Sequence, residues 1–190
     1  MITLKIIKDL QSKQQELDKF IIEENKIDDV GSSSFLIRIK IALLTEIGEL
    51  ANEIKTFKHW KKDKTIDLTK AREELIDCLH FYLSWTNIFQ IDFSDYKFKK
   101  SSLESDYNEL LTSFFSETEL FNINKNNLEE ENYKNSFLKK IDEEKCKSNF
   151  YRWLIIFEEL AQKLGMNEKD IESWYLKKNQ INRVRQKSNY

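Results

Sequence analysis

The chain has 190 residues, enough for one domain with a substantial core, and 31 Lys+Arg against 33 Asp+Glu leave a net charge of −2. That balance lacks the basic excess of a duplex-binding protein, so no nucleic-acid partner is expected. A 40% hydrophobic and 13% aromatic content excludes a disordered chain, and 3 Gly with no Pro supply too few turn residues for an all-β fold. A mainly helical chain follows.

In chain order, Leu4, Ile7, Leu10, Leu17, Phe20 and Ile21 recur at a helical period and predict a first helix over 2–25. "DDVGSSS" is a turn, with Ser33 or Ser34 available to cap a second helix over about 35–58. "KHWKKDKTIDLT" is the connector, and Thr69 is placed to cap a third helix over about 70–89. Residues 92–149 read as two helices joined by a solvated loop, a more mobile helical insertion. A helix over 151–164 stops at Gly165, and Asn167 caps a last helix that continues into the basic run "KKNQINRVRQK".

Neither cysteine has metal-ligand spacing; Cys78 lies in an apolar helix and reads as a core residue. No charged-then-apolar leader opens the chain and no run of about 18 apolar residues occurs, so the expectation is a soluble, cytoplasmic protein with no membrane partner.

The chemistry lies in "LLTEIGELANEIKTFKHW" and "EELIDCLHFYLSW". A helix advances about 100° per residue, so Leu43, Ile47, Leu50 and Ile54 form an apolar stripe with Glu46, Glu49 and Glu53 at its edge. On the next helix Glu74 and Asp77 share a face, with Phe81 one turn on. If the two helices pack antiparallel, four carboxylates converge on one spot, where they repel one another and raise their own pKa values. A hard divalent cation with oxygen ligands relieves that, Mg²⁺ above all, with Mn²⁺ as a substitute. The bland alternative is a set of solvated or salt-bridged acids.

These segments resemble the all-α dimeric dUTPases, relatives of the MazG-type nucleotide pyrophosphatases. "QQELDKFI" near the start resembles that family's first motif, and "YLKKNQINRVRQKSNY" resembles its closing one, apart from Asn189 where Gly is expected before the final Tyr. The resemblance implies an all-α fold, a helical bundle of the all-α NTP pyrophosphatase type, as a single domain over 1–190 and a homodimer. It implies Mg²⁺-dependent hydrolysis of dUTP, and of dUDP, to dUMP, with two or more ions held by Glu46, Glu49, Glu74 and Asp77. Glu49 would also orient the attacking water.

By the same resemblance, Gln14 and Trp60 address the base, Asp18 is a further substrate-binding residue, and His80 and Phe81 wall the base and deoxyribose. Lys58, Lys178, Arg183 and Arg185 meet the phosphates with Asn179 and Asn182, in a basic segment over about 175–190 that closes as a lid. A related pyrophosphatase acting on dCTP or a modified nucleotide shares the acid pairs. A helical interaction protein would instead leave the two pairs facing solvent separately.

Overall fold

In the computed structural model, residues 2–96, 105–121 and 136–188 are described, the side chains at 136–143, 145 and 146 excepted. They form six helices and no strand among the described residues: α1 Leu4–Glu24, α2 Ser33–Ile54, α3 Leu68–Ile88, α4 Tyr107–Glu119, α5 Ser136–Lys163 and α6 Glu168–Lys187. The all-α expectation holds. Asn189, the departure in the closing motif, and the 122–135 part of the expected insertion loop lie outside the described residues, as does the Cys146 side chain.

Five of the six helix starts have a local cause. Thr3 caps α1 by accepting from Ile6 N, and Ser32 caps α2 by accepting from Phe35 N at 3.0 Å, one residue before the expected serines. Asp67 caps α3 in place of Thr69, because its carboxylate accepts from the backbone N–H of both Thr69 and Lys70. Capping boxes open α4 (Asp106 with Glu109) and α6 (Asn167 with Asp170).

Two boundaries differ from expectation. α2 ends at Ile54, since Lys55 takes a left-handed φ of 64° that no helix can continue through. Lys58 and Trp60 therefore sit on the connector. α5 starts well before residue 151 and runs to Lys163. Gly165 then turns the chain with φ 71°, and a Cβ there would meet Arg72 Nη2 at 3.1 Å. That guanidinium donates to Leu164 O, so both backbone conformation and close approach require glycine.

α3 is the central element, packing on α1, α2, α5 and α6. Its C-terminal half enters an aromatic core in which Tyr82 and Trp153 stack at 4.0 Å and Phe121 and Phe150 at 4.4 Å. Two polar atoms of that core are paired, Tyr82 Oη donating to Phe150 O and Trp153 Nε1 to Thr118 Oγ1, whereas the buried Trp85 Nε1 has no acceptor among the described residues. Cys78 is fully buried, as its surroundings predicted.

The start of α1 is fastened to the far end of the chain. Ile2 N donates to Glu158 Oε1 at 2.5 Å, and Thr3 N to Glu168 Oε1 at 2.6 Å. α1 therefore lies against α3 and α6 with Ile7, Leu10, Gln14 and Leu17 inward. Among the described residues no helix is long and apolar enough to cross a membrane.

Candidate active site

Packing of α2 on α3 brings acids from both helices together. Glu46, Glu74 and Asp77 each offer a carboxylate oxygen, all within 4.8 Å of one another, and all three side chains are half-buried. Two pairs facing solvent separately, the pattern of a partner surface, are not what forms.

Burial first, then the charges of Asp77, Glu49 and Glu74, push Glu46 up to about 7. Burial, then Asp77 and Glu49, bring Glu74 to about 7 as well. Asp77 is raised by burial too, against the pull of Lys178. These are acids that resist being ionised together. Glu49 is exposed at the edge of the trio, close enough for its charge to raise both Glu46 and Glu74. Glu53 falls outside the trio.

α6 supplies cations. Lys178 is buried, with Nζ 2.5 Å from Asp77 Oδ2 and 3.2 Å from Glu73 Oε1. Burial opposes its charge, but the bonds to Asp77 and Glu73 outweigh burial and hold its pKa above the usual lysine value. The Arg185 charge also reaches Asp77. Arg183 donates through Nε to Asn179 Oδ1 and lies over the Phe20 ring, while Asn182 is half-buried between them along the chain. The closing basic segment is thus the second half of a packed helix through Lys187. The Asn167 capping box and the burial of Ile171, Tyr175, Lys178 and Asn179 account for that.

Gln14 occupies the middle of the buried stripe of α1, with 3% of its surface exposed. Its Nε2 donates to Asp18 Oδ1 at 2.7 Å, and its Oε1 accepts from Tyr175 Oη at 2.7 Å and lies 2.7 Å from His80 Nδ1. Asp18 accepts, so the amide nitrogen must face it, and Oε1 must face His80. His80 Nδ1 therefore carries the hydrogen and donates. Burial first, then Lys178, holds His80 neutral, its pKa lowered to about 3. The ring stacks on Tyr175 at 4.1 Å, and Nε2, a bare acceptor, is buried with no partner. Ser84 Oγ donates to Asp18 at 2.8 Å, yet burial outweighs these bonds and raises Asp18 to about 6.

Phe81 is half-buried against the core. On the connector, Trp60 is 64% exposed, with edge contacts to Phe57 and His59, and Lys58 Nζ donates to Asn52 O while lying over the Phe57 ring. Three participants escaped the sequence reading: Glu73, Tyr175 and Ser84. Glu73 stands beside Glu74 in "REELID" and Tyr175 opens "YLKKNQ", so both were visible as letters. Only packing gives them their partners: α6 on α3 sets Glu73 against Lys178 and Tyr175 on His80, and α6 on α1 sets Tyr175 Oη against Gln14 Oε1.

The donor set suits a hard divalent cation: oxygen ligands only, partly desolvated, and mutually repelling without a cation among them. Among curated proteins none matches this chain significantly. A family profile described as dUTPase matches residues 6–190, which carries both helices of the acid trio and the whole of α6. The chain belongs to this dUTPase family, whose all-helical fold it shares, and is a dUTP-hydrolysing enzyme.

Proposed function

We propose that the enzyme hydrolyses dUTP to dUMP and pyrophosphate, and dUDP to dUMP and phosphate, in a Mg²⁺-dependent reaction. The observation that carries this reading is the trio of Glu46, Glu74 and Asp77 within 4.8 Å at the α2–α3 contact. Glu46, Glu74 and Asp77 would hold the metal, with Glu49 as a further ligand from the rim; Mn²⁺ would substitute. Such an ion supplies charge neutralisation for the phosphates and a water made more acidic. Glu49, exposed beside the trio, would take up and orient the attacking water. Lys178, Arg183 and Arg185 on α6, with Lys58 from the connector, would stabilise phosphate charge, and Asn179 and Asn182 would donate amide N–H groups.

Gln14 and Asp18 would read the base through the network on α1, and Trp60 would contact it from the connector. Phe81 and His80 would wall the sugar and base, leaving no room for a 2′-OH. The whole of 1–190 would act as one domain with the helical insertion at about 92–149. A homodimer goes with this reading: Ile37 and Ile41, one turn apart on α2 and more than half exposed, offer an apolar face to a second copy.

The test is pyrophosphate release across a dNTP panel, with and without Mg²⁺. The expected result is metal-dependent turnover of dUTP far above dCTP, dTTP and UTP. Undiminished turnover in a chelator would overturn the metal assignment, and preference for dCTP would overturn the base reading.

A further inference from the structure

Lys178 stands where the acid trio needs a cation. Its Nζ takes an Asp77 oxygen at 2.5 Å and reaches Glu73 at 3.2 Å, with its side chain only 11% exposed and that of Asp77 13%. Asp77 is also one of the two α3 acids that lie within 4.8 Å of Glu46 of α2. The ammonium occupies Asp77 Oδ2, so a metal ion could take that oxygen only by displacing it, and an ion held through Oδ1 would stand beside its positive charge. A divalent cation beside an ammonium already bound to Asp77 would also be repelled by it. The α6 backbone around Lys178 is held by buried Tyr175 and Asn179 and by packing on α1, so the helix itself is not free to withdraw. The lysine stem is four carbons long and flexible, so the ammonium can swing out while α6 stays in place.

We propose that Lys178 is a built-in competitor for the metal: its ammonium occupies Asp77 in the nucleotide-free enzyme, and a divalent cation binds there by displacing it. A nucleotide provides the displaced ammonium with an alternative anion, its phosphate chain. Metal and nucleotide then reinforce each other's binding by the same factor, since coupling between two sites is reciprocal. The consequence is an enzyme that holds its metal weakly when empty and firmly when loaded. This inference rests on the metal reading given above.

The experiment is a titration with Mn²⁺ in the absence of nucleotide, following free Mn²⁺ by electron paramagnetic resonance, so no turnover is needed. Lys178→Met should bind Mn²⁺ about tenfold more tightly than the wild type, the size of a typical coupling. Lys177→Met removes the same charge from a neighbouring residue that lies over Trp174 at 5.5 Å, and should stay within about twofold. A non-hydrolysable dUTP analogue should tighten Mn²⁺ in the wild type, and that gain should shrink about tenfold in Lys178→Met, where nothing remains to be displaced. Lys178→Gln serves as the second variant, and matching circular dichroism shows that both are folded.

Unchanged or weaker Mn²⁺ binding in both folded Lys178 variants, beside a wild type that binds, overturns the competition and leaves the metal site standing. Equal tightening in Lys177→Met overturns it as well, by reducing the effect to overall charge. Absence of Mn²⁺ binding in every variant, with the analogue present, overturns the metal reading itself and this inference with it.

Discussion

The N-terminal and C-terminal halves of α3 are one continuous helix in two opposite environments. In the C-terminal half Tyr82 and Trp85 lie at or near zero exposure among Phe89, Phe93, Phe121, Phe150 and Trp153, and Tyr82 Oη has its acceptor. In the N-terminal half Glu74 and Asp77 are half-buried beside Glu46, and all three carry raised pKa values. Apolar and aromatic burial drives folding in the first case; in the second, desolvated like charges oppose it. The rigid half holds the strained half in register, so the acids stay together although each disfavours the others. The acids and the aromatic core are separated by little more than one turn of helix.

The sharpest way to break that division is to remove an acid. Glu74→Gln, Asp77→Asn or Glu49→Ala should lower kcat by on the order of a thousandfold or more, about 4 kcal/mol in the barrier. The metal-free Tm should meanwhile hold or rise in Glu74→Gln, because a repelling charge is gone. Pyrophosphate release and a thermal melt on the same preparations check both parts, and wild-type kcat in any of the three would refute the assignment. The reverse experiment is Trp153→Ala. Losing a fully buried indole that stacks on Tyr82 should cost about 3–5 kcal/mol in urea unfolding. Folded enzyme at low temperature should keep its KM. A large KM change would mean the aromatic core shapes the site more directly than its position implies.

Asp18 sits between the two regimes, bonded to Gln14 and Ser84 yet desolvated. Its carboxyl is near 3.8 when free and about 6 in the fold, so the folded chain binds the proton more tightly. The contribution of Asp18 to stability should therefore be fullest below about pH 4 and be lost as pH rises through about 6, by up to about 3 kcal/mol. Asp18→Asn keeps an acceptor for both partners and removes the titration. The difference in unfolding free energy between wild type and variant should shift in the variant's favour from pH 4 to pH 7, and parallel pH profiles would rule the effect out.

Helix content, the acid pairs and the basic tail were legible because each rests on a local pattern: helical period, three-residue spacing, a capping Asn. Helix ends were less so. Lys55 terminates α2 in a left-handed conformation that its residue type does not announce, and Ser32 and Asp67 competed with equally good neighbouring caps. The burial of Gln14 was in plain sight at the spacing of Ile7, Leu10 and Leu17, but a polar residue on an apolar stripe declares itself only when its partners are known. Those partners, His80 and Tyr175, are 66 and 161 residues away. The pairing of Lys178 with Asp77 spans 101 residues and is likewise a product of packing alone.

The smallest expected effect falls on the connector, which belongs to neither half of α3. Trp60 is 64% exposed and touches only Phe57 and His59 by their edges among the ring contacts described. An exposed side chain of this kind contributes little to folding, so Trp60→Ala should change unfolding free energy by no more than about 0.5 kcal/mol. Its exposure makes sense if a flat ligand covers it. Losing one aromatic contact of that sort should cost about 1 kcal/mol of binding, which raises KM for dUTP about fivefold with kcat nearly unchanged. The same substitution should leave the inhibition constant of inorganic phosphate untouched, since phosphate carries no base for Trp60 to contact. An unaltered KM for dUTP would remove Trp60 from the site and leave base recognition to α1.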